Sequence, residues 1–389
     1  MARLGDVCTI VSGSTPKSNV PEYWDGDVKW ITPAELSEGT YIINDSVRHI
    51  TELGVAKTGL KPFPKGTVIL SSRAPIGKTA IAGCEMYCNQ GFKNLICSDK
   101  ISPRYLYWFL TCNTAYLNSL GRGATFKEIS KEIVANIEIP LPTMEQQLAI
   151  AERFEKITDL ISLHQQQLAK LDELVKSRFI ELFGDPMENP MGWDRVNISA
   201  VVGGKVSNGF FAKRDDYCDD GNVKVLGVAH VVNRMYSNVE DLPITNGTEA
   251  DVAKYGVKYG DMLFCRSSLV AAGIGKASIV PKTTPDNVLF ECHVIRLPLD
   301  LSKCVPEFMQ VLSTTDYFRN QVIAQSKTAT MTTIGQDGIL KTDIILPPLE
   351  LQKQFLKFVE QTDKSKLAIQ ESLAKLEILK KSLMQQYFG

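Results

Sequence analysis

No apolar run in this chain approaches the roughly 20 residues that a helical membrane span needs, so no membrane partner is expected. The opening Met1 to Gly13 holds no long apolar core of the signal-peptide kind, and a cytoplasmic location is expected. Histidines number only four and are far apart in sequence; the nine cysteines are odd in number and show no C-x-x-C spacing. That pattern argues against a disulfide framework and a structural zinc site. Cys84 and Cys88, the closest pair, read as small buried hydrophobes, since no second pair or histidine stands at ligand spacing. An excess of either charge is also missing: the net charge is −1, so the chain alone is a weak electrostatic binder of polyanions.

What is present is one sentence said twice. Leu141 to Gly184 recurs without a gap as Leu346 to Gly389, at an offset of 205 residues, with about a third of the positions identical. Pro142, Glu145, Gln147, Glu155, Leu168, Leu171, Phe183 and Gly184 return as Pro347, Glu350, Gln352, Glu360, Leu373, Leu376, Phe388 and Gly389. A repeat dictates architecture before any local motif does. At 389 residues two domains are expected on length alone, and the repeat gives the same count. Residues 142–184 carry 5 basic against 7 acidic side chains and residues 347–389 carry 7 against 5, so opposite charge favours their pairing.

In the first copy Ile150, Phe154, Ile157, Ile161, His164, Leu168, Leu171, Val175, Arg178 and Leu182 alternate by four and three, the seam of a coiled coil. In the second copy the seam is Phe355, Val359, Thr362, Lys366, Ile369, Leu373, Leu376, Lys380, Leu383 and Tyr387. His164 on the seam reads as a buried polar group that fixes register. Pro142, Pro347 and Pro348 mark helix starts, and Gly184 a stop. The chain therefore divides into a first globular head at 1–141, a central helix at 142–184, a proline-containing linker at 185–192, a second head at 193–346 and a C-terminal helix at 347–389. The expected class is α+β: two mixed α/β heads, each followed by a long helix, the helices forming an antiparallel coiled coil with pseudo-twofold symmetry. Strand-like openings at Leu4 to Val11 and Val196 to Val202, and helices at Pro103 to Ser119 and Pro306 to Gln325, are expected in the heads.

Catalytic signatures are weak. Pro75-Ile76-Gly77-Lys78-Thr79 resembles the end of a phosphate-binding loop, but Ser72 stands where that loop needs its first glycine, so a strand-to-strand turn is expected. Asn189-Pro190-Met191-Gly192 lacks the second proline and the aromatic ring of an amino-methyltransferase motif. The order of parts, with Pro140-Leu141-Pro142-Thr143-Met144-Glu145-Gln146-Gln147 and Leu346-Pro347-Pro348-Leu349-Glu350-Leu351-Gln352 opening the two helices, resembles the specificity subunit of type I restriction-modification systems. Thr143 and Leu351 depart from the family signature while its spacing is intact.

The resemblance implies a non-catalytic subunit that binds double-stranded DNA through two target recognition domains, each reading half of an asymmetric bipartite site. It implies two modification subunits that carry S-adenosylmethionine and methylate adenine N6, and restriction subunits that use ATP and Mg; this chain itself binds no cofactor and no metal. Two other readings stand beside it: a coiled-coil adaptor without DNA recognition, and a DNA methyltransferase or nuclease. Residue chemistry nominates Arg73, Lys78, Asn89, Gln90, Lys93, Arg122 and Thr125 in the first head for DNA contact. In the second head it nominates Lys213, Arg214, Arg234, Arg266, Ser268, Lys276, Lys327 and Thr330. Leu160, Leu163 and Phe179 are expected on helix faces left free for the modification subunits.

Overall fold

The computed structural model describes residues 1–37, 39–73, 75–123 and 127–389. The chain forms two compact units, one of residues 1–165 with 370–389 and one of residues 166–369. Each unit thus takes one head and half of each long helix. The helices run Met144–Phe183 and Leu349–Phe388, starting just after the prolines that cannot sit in a helix interior.

In the first unit, a five-stranded sheet has the order Cys8–Ser12, Lys93–Cys97, Val68–Leu70, Thr79–Ala82, Ile42–Ile43, antiparallel except for the last pair. A second sheet joins His49–Ile50, Trp24–Ile31 and Tyr87–Cys88. The expected opening strand is split, with a short helix Leu4–Val7 preceding the strand. Helix Pro103–Cys112 is buried on nearly every side from Tyr105 to Leu110. Its apolar residues run all round, as they must in a helix covered by a sheet on one side and long helices on the other. A second short helix, Thr114–Ser119, breaks from it at Asn113.

The second unit repeats these parts. Its main sheet has the antiparallel order Ser207–Asn208, Val294–Pro298, Asp261–Cys265, Ala277–Ile279. A smaller sheet joins Ile244–Thr245, Val223–Leu226 and Val288–Phe290. The expected strand at Val196 to Val202 is a strand Arg195–Asn197 followed by a 3-10 turn, and the expected helix is two, Pro306–Thr314 and Asp316–Ala324. Gly13 and Gly209 mark the same strand crossing in the two heads: a Cβ would meet the carbonyl of Cys88 at 1.9 Å in one and that of Phe290 at 2.2 Å in the other.

The long helices join each head by the same two devices. Gln147 is fully buried; its Nε2 donates to the carbonyls of Lys100 and Pro142, both at 3.0 Å, and its Oε1 accepts from Ser102 N at 2.9 Å. Gln352 does the same with Pro347 O at 2.8 Å, Lys303 O at 3.5 Å and Val305 N at 2.9 Å. A side-chain amide is required because it alone supplies donors and an acceptor together to backbone groups cut off from water. The second device is aromatic. Phe388 stacks on Phe154 at 5.6 Å and meets Tyr105 at 5.4 Å; Phe183 meets Phe308 at 4.8 Å and Phe179 at 5.0 Å.

All the seam positions are buried or half-buried: Ile150, Phe154, Ile157, Ile161 and His164 with Leu373, Leu376, Lys380, Leu383 and Tyr387 in the first unit, and Leu168, Leu171, Val175, Arg178 and Leu182 with Phe355, Val359, Thr362, Lys366 and Ile369 in the second. The helix segments run antiparallel within each unit, since His164 bonds Ser372 at 2.9 Å while Arg153 bonds Tyr387, and Asp172 pairs Lys366 while Phe183 meets Phe355. Opposite charge contributes less than the sequence suggested. Lys366 with Asp172 at 2.6 Å is the cross-helix ion pair among the described residues, and Lys380 lies over the Trp108 ring instead. One expectation is corrected: Phe179 is not on a free face but buried among Phe183, Phe308 and Phe355, whereas Leu160 and Leu163 are exposed. The linker at 185–192 is folded back: Asn189 exchanges two hydrogen bonds with Trp193, whose indole donates to Phe183 O at 2.8 Å and satisfies a helix-end carbonyl.

Candidate nucleic-acid interface

The Ile-Gly-Lys segments are strand-to-strand turns in both heads. Gly77 has φ +95° and Gly275 φ +61°, conformations that glycine enters without a Cβ penalty. Gly77 N donates to Ser71 O at 3.1 Å and Gly275 N to Cys265 O at 2.8 Å, while Ser71 N and Cys265 N each donate at 2.8 Å to the carbonyls of Lys78 and Lys276. The next residue of each strand is fixed too. Ser72 N donates to Gly91 O and Ser72 O accepts from Ile129 N; Arg266 N donates to His293 O and Arg266 O accepts from Ile334 N. Arg266 therefore matches Ser72, and Arg73 matches Ser267, so the arginines of the two runs are not equivalent.

In the first head this frame gathers several nominated residues around Glu128. Arg73 Nε reaches Glu128 at 2.9 Å and Lys93 Nζ reaches it at 3.1 Å, while Arg122 and Glu128 exchange backbone hydrogen bonds at 3.0 and 2.9 Å. Burial alone would raise the Glu128 carboxyl; the hydrogen bonds from Lys93 and Arg73 outweigh it and hold the group below the usual carboxylate range. Lys93 is itself buried and occupied by Glu128 and Ser72, which makes it a support for Arg73 rather than a free phosphate contact. Asn89 Oδ1 accepts from Gly91 N and shapes the adjoining bend, and exposed Gln90 accepts from Thr15. Lys78 Nζ lies 3.4 Å from Pro33 O. Thr125 lies outside the described residues.

In the second head the corresponding edge is a three-stranded ribbon. Ser267–Ser268 pairs with Thr332–Thr333, which pairs with Lys327–Thr328, leaving Thr330 exposed near the tip. Arg266 Nη1 donates to Cys292 O at 3.2 Å, Lys276 Nζ to Asn233 Oδ1 at 2.7 Å, and Arg234 to the carbonyls of Val232 and Ala229. Lys213 and Arg214 are exposed at a 3-10 turn beside Asp215, Asp216, Asp219 and Asp220, which offset their charge. Sequence reasoning missed Leu269, Val270 and Phe211, which are 83%, 63% and 68% exposed. Leu269 and Val270 follow directly on Ser268, and large apolar side chains on a polar edge suit contact with base faces or thymine methyls. The sequence shows them only as ordinary hydrophobes, because exposure is a property of the loop.

Among the described residues the reacting groups of an enzyme are not gathered at either edge. The thiols of Cys88 and Cys304 are pushed up to about 12 by burial, which removes them as nucleophiles. No group of His, Cys, Asp and Glu able to hold a metal ion occurs among the described residues.

Comparison with known proteins agrees with this arrangement. The family model "type I restriction modification DNA specificity domain" matches twice, at residues 1–173 and 190–379. The MjaIX specificity subunit of Methanocaldococcus jannaschii is 35% identical over 249 residues, covering 59% of this chain and 57% of that protein. The EcoKI specificity subunit of Escherichia coli K12 is 23% identical over all of this chain and 88% of its own length. Among solved structures, the S subunit of the M. genitalium type I system covers this whole chain and 95% of its own at 12% identity with a TM-score of 0.58. A chain from a study of complex assembly and conformational transition of the type I R-M system gives 18% identity, coverage of 100% and 96%, and a TM-score of 0.61; at such identities the likeness shows the fold. With two heads, two repeated helices and two matches to one model, the chain belongs to the family of type I restriction-modification DNA specificity proteins.

Proposed function

We propose that the chain is the DNA-recognising subunit of a type I restriction-modification complex, itself non-catalytic, and that each head reads one half of an asymmetric bipartite site. The observation that carries this is the shared backbone of the two edges with different side chains on it: Arg73, Lys93 and Glu128 in one head, Ser267, Ser268 and Thr332 in the other. A common frame with unlike readers is what two unlike half-sites require. The long helices, 40 residues each and therefore about 60 Å long at 1.5 Å per residue, set the unread spacer. They also offer exposed Leu160 and Leu163 to the modification subunits. Two modification subunits carrying S-adenosylmethionine would methylate adenine N6, and restriction subunits would add ATP- and Mg-dependent cleavage.

The test is to co-express the chain with its modification subunit and map methylated adenines across a genome. A single split motif is expected. Replacing residues 1–141 by another family member's first head should change one half of that motif and leave the other and the spacer intact. Methylation scattered without a motif, or a motif unmoved by the exchange, would sink the reading.

A further inference from the structure

In the second unit a cavity of about 470 Å3 opens where the head meets the long helices. Five cationic side chains line it, Lys176, Arg234, Lys276, Arg319 and Lys366, against one carboxylate among the described lining residues, Asp172. Lys366 already holds Asp172 at 2.6 Å and Asp363 at 3.8 Å. The bonded cations otherwise have neutral partners. Lys276 is bonded to the Asn233 amide oxygen, Arg234 to two carbonyls, and Arg319 Nη2 to the carbonyls of Ala272 and Ile274. Arg319 Nη1 is buried without an acceptor. Concave walls of one sign focus the field and repel each other unless an anion enters.

The scaffold does not need two of these charges, Arg319 and Lys366. In the first unit the carbonyl of Ile76, which matches Ile274 in the turn, accepts from neutral Asn118 at 2.8 Å, so an amide performs the structural task of Arg319. The repeat places Ile161 where the second copy has Lys366. Arg319 and Lys366 are thus additions to a frame that closes without them, whereas Lys176 and Lys276 have counterparts in Lys381 and Lys78. The five cations, spread over the long helices, the turn, one helix of the head and the bend at Arg234, suit an acceptor with several oxygens, which can take donors from different directions at once.

We propose that this cavity binds a phosphate group, supplied either by the backbone of a DNA strand or by a free nucleotide. The assignment stands on the cavity and does not depend on either head reading bases. Its test uses the full chain and three probes: inorganic phosphate, dAMP, and a fluorescent duplex with no recognition site, followed by calorimetry and anisotropy. The variants are Lys176→Gln with Arg234→Gln, both at exposed positions, and Arg319→Asn, which copies the first unit's solution. About a tenfold loss of affinity is expected in each variant for the probe that carries the right phosphate. For the duplex, the slope of log affinity on log salt should also fall by about two in the double variant. Loss confined to the duplex identifies a strand phosphate, and loss confined to phosphate and dAMP identifies a free nucleotide. Unchanged binding of all three probes, or a parent chain that binds none, overturns the proposal. If the chain binds no duplex but loses dAMP in the variants, the reading of DNA falls while the phosphate site stands.

Discussion

The two units share their backbone contacts and differ in the side chains that complete them. In the first, Arg104 reaches Glu155 through Nε at 2.7 Å and again through Nη2, and the Tyr41 hydroxyl joins them. In the second, the place of Arg104 at the start of the buried helix is taken by Glu307, which accepts from Tyr259 at 3.0 Å and Tyr236 at 3.2 Å. Glu360, the repeat of Glu155, pairs instead with Lys282 at 3.3 Å. Features that the helices impose, the buried glutamine and the terminal phenylalanine, are held in common, whereas contacts contributed by the heads are rebuilt in each. A frame that fixes the docking through its own backbone and rings leaves the heads free to diverge.

The largest test of that contrast is the shared ring. Phe183→Ala should destabilise the second unit by about 3–5 kcal/mol, the usual range for emptying a buried phenylalanine site. Phe388→Ala should cost less, because Phe388 is 8% exposed where Phe183 is fully buried. Denaturant unfolding of the two variants measures this, and equal losses would break the ordering. Next come the glutamines. Gln147→Met and Gln352→Met each strand a buried N–H and carbonyls, at about 1–3 kcal/mol each, and the two losses should match. A clear inequality would show that the locks are equivalent in geometry but not in energy.

The helices and their seam were legible in the sequence, because a period of four and three states which side is covered without reference to anything distant. The roles of Gln147 and Gln352 were legible only as recurrence; that they plug the backbone of residues 100–102 and 303–305 needs the tertiary contact. The nominated DNA residues were chosen by chemical type, and type does not distinguish Arg73, half-exposed on Glu128, from Lys93, buried beneath it. Nor could it show Leu269 and Phe211 in solvent, or set Ser72 rather than Arg73 opposite Arg266. Those facts depend on turns whose register follows from hydrogen bonds between segments 19 to 68 residues apart, from Ser72–Gly91 to Arg266–Ile334.

The more buried carboxylates separate the units with opposite sign; Asp251, Asp300 and Glu350 of the second unit are lowered by local hydrogen bonds and narrow the difference. In the first, burial would raise Glu155, but the hydrogen bonds from Arg104 and Tyr41 outweigh it and the carboxyl lies below its ordinary value of 4.5; Glu128 behaves likewise. Their contribution to stability is full above that value and is lost as pH falls through the lowered one. In the second, burial raises Glu307 and Asp363 against the bonds they accept. Their contribution is full below the ordinary carboxylate range and is lost as pH rises through the raised values. Hydrogen exchange followed from pH 7 to pH 4 should therefore show the first unit loosening on acidification relative to the second. Glu307→Gln should flatten the second unit's response and leave the first unit's unchanged; the same response in both units would erase the distinction.

The smallest effect concerns the charge pattern that the repeat advertises. Lys366 and Asp172 form the cross-helix ion pair, with the Lys366 side chain 17% exposed and that of Asp172 64% exposed. A carboxylate so open to solvent is screened, and pairs of this kind contribute about 0–1 kcal/mol. Asp172→Asn should therefore shift the unfolding midpoint little, and less at high salt than at low. Lys366→Met should cost more than Asp172→Asn but less than either glutamine variant, because the half-buried seam gains an apolar side chain and Asp172 is left in water, while partly buried Asp363, 3.8 Å from Lys366, loses its cation. If Lys366→Met cost as much as either glutamine variant, the opposite charges of the two repeats would be holding the helices together, and the shared rings and amides would no longer suffice to explain the pairing.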